Sequence, residues 1–165
     1  MDAAHGIEYS TVVTTMARNG YEFGLRVSGL PGQWFTGPAN TPEGLFLGSY
    51  GPEDANPDIG DSAITETGGI GGFAMAAAPA IVKFVGGTPA DAVKHSLTMR
   101  QITLTQHPAF TLPTLNFAGS AAGIDARRVV DRGVLPVIEL DGRPVRHDPA
   151  VTTVLAVAGG FPPLS

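Results

Sequence analysis

The chain has 165 residues, 43% of them hydrophobic, which is enough to bury the core of one domain. Its formal net charge of −5 excludes an overall basic field of the kind that attracts nucleic acid. The sequence contains no cysteine, which excludes disulfides, thiol nucleophiles and thiolate metal sites. No signal peptide or membrane span is readable at the N-terminus. We therefore expect a soluble, cytoplasmic protein without nucleic-acid or membrane partners.

Residues 8–28 predict a β-hairpin. A β-branched run is followed by Asn19-Gly20, which is typical of two-residue turns, and then by a second apolar run. A two-residue loop places four pairs of residues opposite each other: Arg18 and Tyr21, Met16 and Phe23, Thr14 and Leu25, Val12 and Val27. One face of the hairpin is then apolar except for Arg18.

The segment from Gly29 to Gly72 predicts mostly ordered loop. Prolines recur along it and leave room only for short strands, such as one over residues 33–36. Charge is uneven here, because residues 27–82 contain no lysine, arginine or histidine although they carry several acidic side chains.

Later elements alternate between helix and strand. Phe73–Ala78 predicts a short buried helix that Pro79 kinks or restarts. Thr88 and Pro89 predict the cap and first position of a longer helix with an apolar stripe that reaches Leu104. The remaining predictions are a strand near Leu112–Phe117, a helix near Asp125–Asp131 closed by Gly133, and a strand near Val134–Leu140. The expected fold is a mixed α+β domain over residues 1–165, with an N-terminal β-hairpin, a glycine-rich loop leading into a buried helix, and further short helices and strands.

Side-chain oxygens and glycines concentrate between Asn56 and Gly72. Glycines before a helix expose backbone N–H groups, where an anion or a developing oxyanion can bind. The alternative interpretation is that the glycines permit close packing and that Asp58 and Asp61 cap turns. We favour an anion-binding loop over Asp58–Gly72, with the anion at Gly71 and Gly72 and close to Arg18.

Other interpretations of this loop depend on weaker patterns. Residues 69–74 match a dinucleotide-type G-x-G-x-x-A, but no clear strand precedes them, and a Walker loop is excluded because no Gly-Lys-Ser/Thr follows. Ser62 could act as a nucleophile with His95, His107 or His147 as base, although the G-x-S-x-G elbow is absent. Asp58, Asp61 and Glu66 could hold a hard divalent cation, although their spacing is not that of a calcium loop.

Arg18 is the cation of most interest, because the hairpin places it on an apolar face beside Tyr21. A guanidinium there could clamp a carboxylate or phosphate through two hydrogen bonds. The alternative is a snorkelling arginine stacked on Tyr21. We expect Arg127 and Arg128 to be solvated.

Three long segments resemble the YlbE-like family: TTMARNGYEFG at 14–24, DIGDSAITETGG at 58–69 and GGFAMAAAPAIV at 71–82. The resemblance runs from about Ile7 to Val137 and implies that the chain corresponds to the C-terminal part of a longer family protein. Some members of that family are regarded as a subunit of oxamate carbamoyltransferase. In anaerobic allantoin degradation that enzyme converts oxalurate and phosphate to oxamate and carbamoyl phosphate.

The resemblance and the loop chemistry together suggest a site for a small anionic substrate. Arg18, Asp61 and Glu66 are its candidate catalytic residues. The candidate substrate-binding residues are Asn19, Asn56, Asp58, Ser62, Thr67, Gly69, Gly71 and Gly72. Direct transfer by positioning is the simpler mechanism, because no residue is an obvious covalent nucleophile. We expect no cofactor, with Mg²⁺ as a candidate ion, and a homo- or hetero-oligomer with other carbamoyltransferase subunits. The alternatives are a non-catalytic ligand-binding or assembly domain and, more remotely, a serine hydrolase using Ser62.

Overall fold

A computed structural model describes residues 1–41, 46, 48–59, 62–84 and 87–138, and these confirm the α+β class. Within them a three-stranded antiparallel sheet has the order β1-β2-β3, and a two-stranded antiparallel ribbon pairs β4 with β5. The strands are β1 Val13–Arg18, β2 Glu22–Val27, β3 Phe35–Pro38, β4 Thr103–Leu112 and β5 Ala118–Ile124. The α-helices are α1 Ser62–Thr67, α2 Pro79–Phe84, α3 Pro89–Met99 and α4 Ala126–Arg132. Shorter 3₁₀ helices cover Asp2–Ala4, Pro52–Asp54, Gly71–Ala77 and Pro113–Leu115.

The predicted hairpin is present, but its register is shifted. Arg18 pairs with Phe23 instead of Tyr21, and Met16 pairs with Leu25. The shift arises because the Asn19 side chain organises a longer turn, in which its Oδ1 accepts from the backbone N–H groups of Tyr21 at 2.9 Å and Glu22 at 2.7 Å. For Arg18 and Met16 the partner moves by two residues, so both stay on the predicted buried face. A register shift between Val13 and Thr15 places Val13, and not Val12, opposite Val27.

The ribbon β4–β5 corrects two predictions. Leu104 lies in β4 and not on the stripe of α3. The strand predicted near Leu112–Phe117 is wrong, because the chain turns there through a 3₁₀ helix. Asn116 and Phe117 then take left-handed φ values of 53° and 57°, which a continuing strand does not allow.

The helix predictions have mixed outcomes. Helix α3 has the expected cap at Thr88 with Pro89 in its first turn, and α4 begins after Asp125 and ends at Gly133. Pro79 restarts the helix as α2. Helix α1 was missed, because the whole glycine-rich segment was predicted as loop. The helix predicted over Phe73–Ala78 is instead a 3₁₀ helix that begins at Gly71, with a kink at Ala74.

A continuous apolar core connects the three-stranded sheet with the helices and β5. Its largest fully buried apolar side chains include Phe23, Phe73, Met16, Leu25 and Met99. Val137 and Ile138 also pack into this core, but residues 134–138 of the predicted strand near Val134–Leu140 do not form one, and residues 139 and 140 lie outside the described residues. Strand β3 begins two residues later than the predicted strand. No helix in the described part of the chain is long and apolar enough to cross a membrane.

Candidate functional site around strand β1

Arg18 forms a buried ion pair with Asp58 at the end of β1. Its NH1 group contacts Asp58 Oδ2, and the two side chains are only 3% and 4% exposed. Backbone contacts fix Asp58 in place, since its N–H donates to Asn40 O at 3.0 Å and its carbonyl accepts from Gly20 N at 3.3 Å. The pair therefore ties the hairpin turn to the segment before α1. The exposures do not fit the alternative of an arginine stacked on Tyr21, since the Arg18 side chain is buried and Tyr21 is 84% exposed.

Glu66 places a second carboxylate inside the protein. Its side chain is fully buried in α1, and its Oε1 accepts from the Gly72 N–H at 2.8 Å. Gly71 has a φ of +61°, and a Cβ placed on it would collide with the Glu66 carboxylate. A carboxylate of this chain therefore contacts the start of the Gly71–Ala77 helix, where an external anion was expected.

Close packing explains the neighbouring glycines. A Cβ on Gly69, whose φ is +85°, would lie 2.6 Å from the Ala121 carbonyl oxygen in β5. A Cβ on Gly72 would collide with the Val137 backbone. These positions need glycine because the backbone of another segment lies directly against them. This supports the packing interpretation of the glycine-rich segment; anion binding there stays a prediction.

Thr67 links α1 to β1. Its hydroxyl donates to Ala63 O and accepts from the Met16 backbone N–H, both at 3.0 Å, and it is buried. Arg18, Asp58 and Thr67 are therefore brought to the same strand from distant parts of the sequence. We call the contacts of these three residues, together with Glu66 and the glycines it contacts, the β1 polar network.

The other predicted site residues lie at the margin of this network or outside the described residues. Asn19 and Asn56 are exposed, and Asn19 uses its Oδ1 within the hairpin turn. Ser62 begins α1. Asp61 lies outside the described residues. Within the residues that are described, no group of three or more acidic or histidine side chains is placed to hold a metal ion. Because Asp61 is one of the predicted ligands and lies outside the described residues, the Mg²⁺ site stays a prediction.

Two predictions about the arginines of α4 have different outcomes. Arg127 is exposed, as expected. Arg128 is half-buried, donates from NH1 to the Thr103 carbonyl oxygen, and lies 3.8 Å from Asp125. Arg128 therefore connects α4 to β4, a role that the spacing of charges in the sequence does not indicate.

A surface pocket on the outer face of the first sheet was missed at the sequence level. It has a volume of about 210 Å³ and is lined by Ala17, Arg18, Asn19, Glu22, Gly24, Trp34 and Thr36. The signal that could have indicated it is a glycine in the middle of a strand, since such a glycine leaves space for a close approach.

Known proteins with similar sequences cover most of this chain. A family model described as oxamate carbamoyltransferase subunit AllG matches residues 1–62. The uncharacterized protein YahG of Escherichia coli K12 is 67% identical over 138 residues, which are 84% of this chain and 29% of YahG. The oxamate carbamoyltransferase subunit AllG of the same organism is 50% identical over 139 residues, 84% of this chain and 33% of AllG.

A solved structure is also similar. It is the crystal structure of a conserved protein of unknown function from Enterococcus faecalis V583, with 57% identity and a TM-score of 0.80 over 83% of this chain and 33% of that one. The chain thus spans about a third of the length of its relatives. The similarity supports the expected relation to an oxamate carbamoyltransferase subunit, while the narrower assignment to the YlbE-like family stays a prediction.

Proposed function

We propose that this chain forms part of a carbamoyltransferase subunit that transfers the carbamoyl group of oxalurate to phosphate. The observation that supports the proposal most is the 50% identity with the AllG subunit. A phosphate oxygen forms a bond to the carbamoyl carbon, the bond from that carbon to the oxalurate nitrogen breaks, and the nitrogen takes a proton. The products are oxamate and carbamoyl phosphate. Because the relatives are much longer, further protein segments or subunits complete the site in this proposal.

The burial of the predicted site residues suggests which of them position the site and which contact the substrate. Carbamoyl transfer needs cationic or N–H groups for phosphate and oxyanion, and acceptors for the NH₂ groups of the substrate. Arg18 and Glu66 are buried and already contact groups of this chain. We therefore assign them positioning roles: Arg18 fixes the hairpin turn, and Glu66 fixes the glycine turn. The exposed amides of Asn19 and Asn56 are then the groups proposed to contact the substrate. Asp61, which lies outside the described residues, keeps its predicted catalytic role as part of the proposal.

Turnover by the assembled complex tests this proposal. The chain, purified with its partner subunits, should release oxamate from oxalurate only when phosphate is present. Glu66→Gln puts an amide NH₂ in place of one carboxylate oxygen at a fully buried position, which disturbs the glycine turn even where the other oxygen still accepts from Gly72. We expect it to lower kcat by about tenfold or more with little change in KM, because a shifted turn misaligns bound substrate. Glu8→Gln, at an exposed position, should retain full activity. No turnover by a complete complex would remove the proposal.

A second candidate is a non-catalytic assembly domain. The burial of the Arg18–Asp58 pair favours it, because a closed ion pair is not available to a substrate from solvent. In that case the chain is still required for turnover, but Glu66→Gln leaves kcat and KM intact.

The serine hydrolase alternative stays a remote prediction. Ester hydrolysis that is absent in the parent chain, or unchanged in Ser62→Ala, would eliminate it.

A further inference from the structure

The outer strand of the β4–β5 ribbon does not pack against the body of the protein. Between Thr103 and Leu112 the side chains of β4 are exposed, except that of His107, which is half-buried. A strand that covers a core alternates between buried and exposed side chains, so both faces of β4 are open within the described part of the chain. Phe110 in β4 is 42% exposed, and Phe117, directly before β5, is 68% exposed.

The ribbon is also uncharged. Residues 101–124 contain no aspartate, glutamate, lysine or arginine and form the longest such stretch of the sequence, although the whole chain has a formal net charge of −5. Charged side chains on exposed strands keep proteins from associating. A long exposed strand with aromatic side chains and no charge is instead typical of the core of a protein–protein interface, where charged residues are depleted and phenylalanine is enriched.

A bulge in the middle of β4 leaves no run of free N–H groups with which another strand could pair. Four residues of β4, 107–110, lie opposite a single residue of β5. The His107 Nδ1 accepts from the backbone N–H groups of Ala109 and Phe110, both at 3.1 Å, and Pro108 has no N–H group. A partner of this ribbon must therefore contact its side chains instead of extending its sheet.

The same bulge holds an aromatic pair in place. The rings of His107 and Phe110 are stacked, with centroids 4.1 Å apart and planes inclined by 17°. The bulge lies against Gly119, where an added Cβ would collide with the His107 carbonyl oxygen. Phe117 is two residues from Gly119, at most about 7 Å along the chain, so its ring and the stacked pair lie at the same end of the ribbon. We call His107, Phe110 and Phe117 the ribbon aromatic cluster.

The surface that covers this cluster must itself be uncharged and apolar, since a charged group would lose its hydration against the ribbon without gaining a partner. The ribbon of a second copy meets that requirement. Two copies can meet there about a two-fold axis without bringing like charges together, although each chain is acidic as a whole.

We propose that the ribbon aromatic cluster is the contact between two copies of this chain in a symmetric dimer. The rings of Phe110 and Phe117 of one copy pack against those of the other. The proposal does not depend on the transferase reaction.

Analytical ultracentrifugation of the intact chain tests for this dimer. Over about 1–200 µM chain we expect a monomer–dimer equilibrium with a Kd of about 1–50 µM, because a small interface binds weakly. Raising NaCl from about 0.05 to 0.5 M should leave the dimer unchanged or tighten it, since salt screens the repulsion between two acidic chains. A chain that stays monomeric throughout, or a dimer that weakens about tenfold at the higher salt, would overturn the proposal.

Phe117 and Tyr9 offer a matched pair of variants. Both have left-handed φ values, 57° and 62°, and they are 68% and 67% exposed, but Tyr9 lies outside the ribbon. Asparagine tolerates this backbone conformation better than an aromatic residue, so Phe117→Asn and Tyr9→Asn should both unfold in urea at or above the parent midpoint. Only Phe117→Asn should weaken the dimer, by about tenfold or more, because it removes an aromatic contact from each copy.

Phe110→Ser is the second ribbon variant and should also weaken the dimer by about tenfold or more. Parent affinity in both ribbon variants would overturn the proposed contact. Equal weakening by Tyr9→Asn and Phe117→Asn would overturn it as well, because the dimer would then not depend on the ribbon.

Discussion

Arg18 shows what strand alternation can predict about a single residue. The alternation places it on the buried face of the hairpin, and the structure confirms that position. Its partner Asp58 could not be predicted, because no local pattern connects two residues so far apart in the chain. The same holds for the contact of Glu66 with Gly72, since α1 and the 3₁₀ helix had to be placed first. The buried position of Arg18 was therefore predictable from the sequence, whereas the partner of a buried charged side chain depends on the tertiary fold.

The buried ion pair leads to a stability prediction. Asp58→Asn removes the carboxylate from the buried pair with Arg18, and breaking a buried pair in this way costs about 3–5 kcal/mol of unfolding free energy. Replacing both residues by apolar ones, Arg18→Met with Asp58→Leu, should recover most of that loss. Urea unfolding measures both. Asp131→Asn, at an exposed position of α4, is the control and should change stability by about 0.5 kcal/mol or less. An Asp58→Asn variant as stable as this control would contradict the role of the pair.

Among the elements, the predictions succeeded where the determinants are local. The cap of α3 and the Gly133 end of α4 follow from neighbouring residues. Helix α1 was missed because its sequence, SAITET, is short and rich in β-branched residues with low helix propensity. Tertiary contacts stabilise it instead, including the hydrogen bond between the Met16 N–H and the Thr67 hydroxyl. The strand predicted near Leu112–Phe117 was misplaced because Phe117 adopts a left-handed φ value that its residue type does not predict.

The turn between α1 and the Gly71–Ala77 helix offers a matched pair of glycines. Gly71 and Gly133 have nearly the same φ, +61° and +62°, but only Gly71 has a neighbour, the Glu66 carboxylate, within 4 Å of an added Cβ. Gly133→Ala should therefore cost about 1 kcal/mol from backbone strain alone. Gly71→Ala should cost about 1–3 kcal/mol more, because it also forces the buried carboxylate to move.

Chemical denaturation of the two variants, and of Gly71→Ala combined with Glu66→Ala, separates the two contributions. In the double variant, the part of the stability loss that comes from the collision between the new Cβ and the Glu66 carboxylate should disappear. Equal losses for Gly71→Ala and Gly133→Ala would show that the glycine turn does not depend on Glu66.

The cap of α3 predicts a pH dependence. The Asp91 side chain accepts from the Thr88 hydroxyl at 2.6 Å and from the Thr88 N–H at 2.8 Å, and these bonds, led by the hydroxyl, lower the Asp91 pKa below its ordinary value of 3.8. A lowered folded-state pKa means that this stabilisation is present above pH 3.8 and is lost as the pH falls through the folded pKa.

Thr88→Ala removes both the cap and the hydroxyl bond. We expect it to cost about 1 kcal/mol at neutral pH. Part of this loss should disappear as the pH falls below 3.8, because the parent chain then loses the bond from the Thr88 hydroxyl to the Asp91 carboxylate, whereas the bond from the Asp91 N–H to that hydroxyl remains. Denaturant unfolding at a series of pH values measures this. Thr98→Ala, whose hydroxyl donates to Lys94 O within the helix, should show no such pH dependence.

At the scale of the whole molecule, the chain corresponds to about a third of its relatives. The expectation that residues 1–165 form one domain therefore stays a prediction, as does the assembly with other subunits. The side chains of the β1 polar network are buried, whereas the side chains of Trp34 and Tyr21 are exposed. We infer that the network shapes one wall of a site that other protein segments complete.

Oxygen labelling of phosphate tests the proposed reaction most directly. Carbamoyl transfer leaves every P–O bond intact. The assembled complex receives oxalurate together with phosphate in which all four oxygens are ¹⁸O. It should form carbamoyl phosphate that retains all four labelled oxygens. Oxamate should appear in equal amount and should not form without phosphate. Oxamate release without phosphate would mean hydrolysis by water, and loss of label would mean cleavage of a P–O bond; either result would contradict direct carbamoyl transfer.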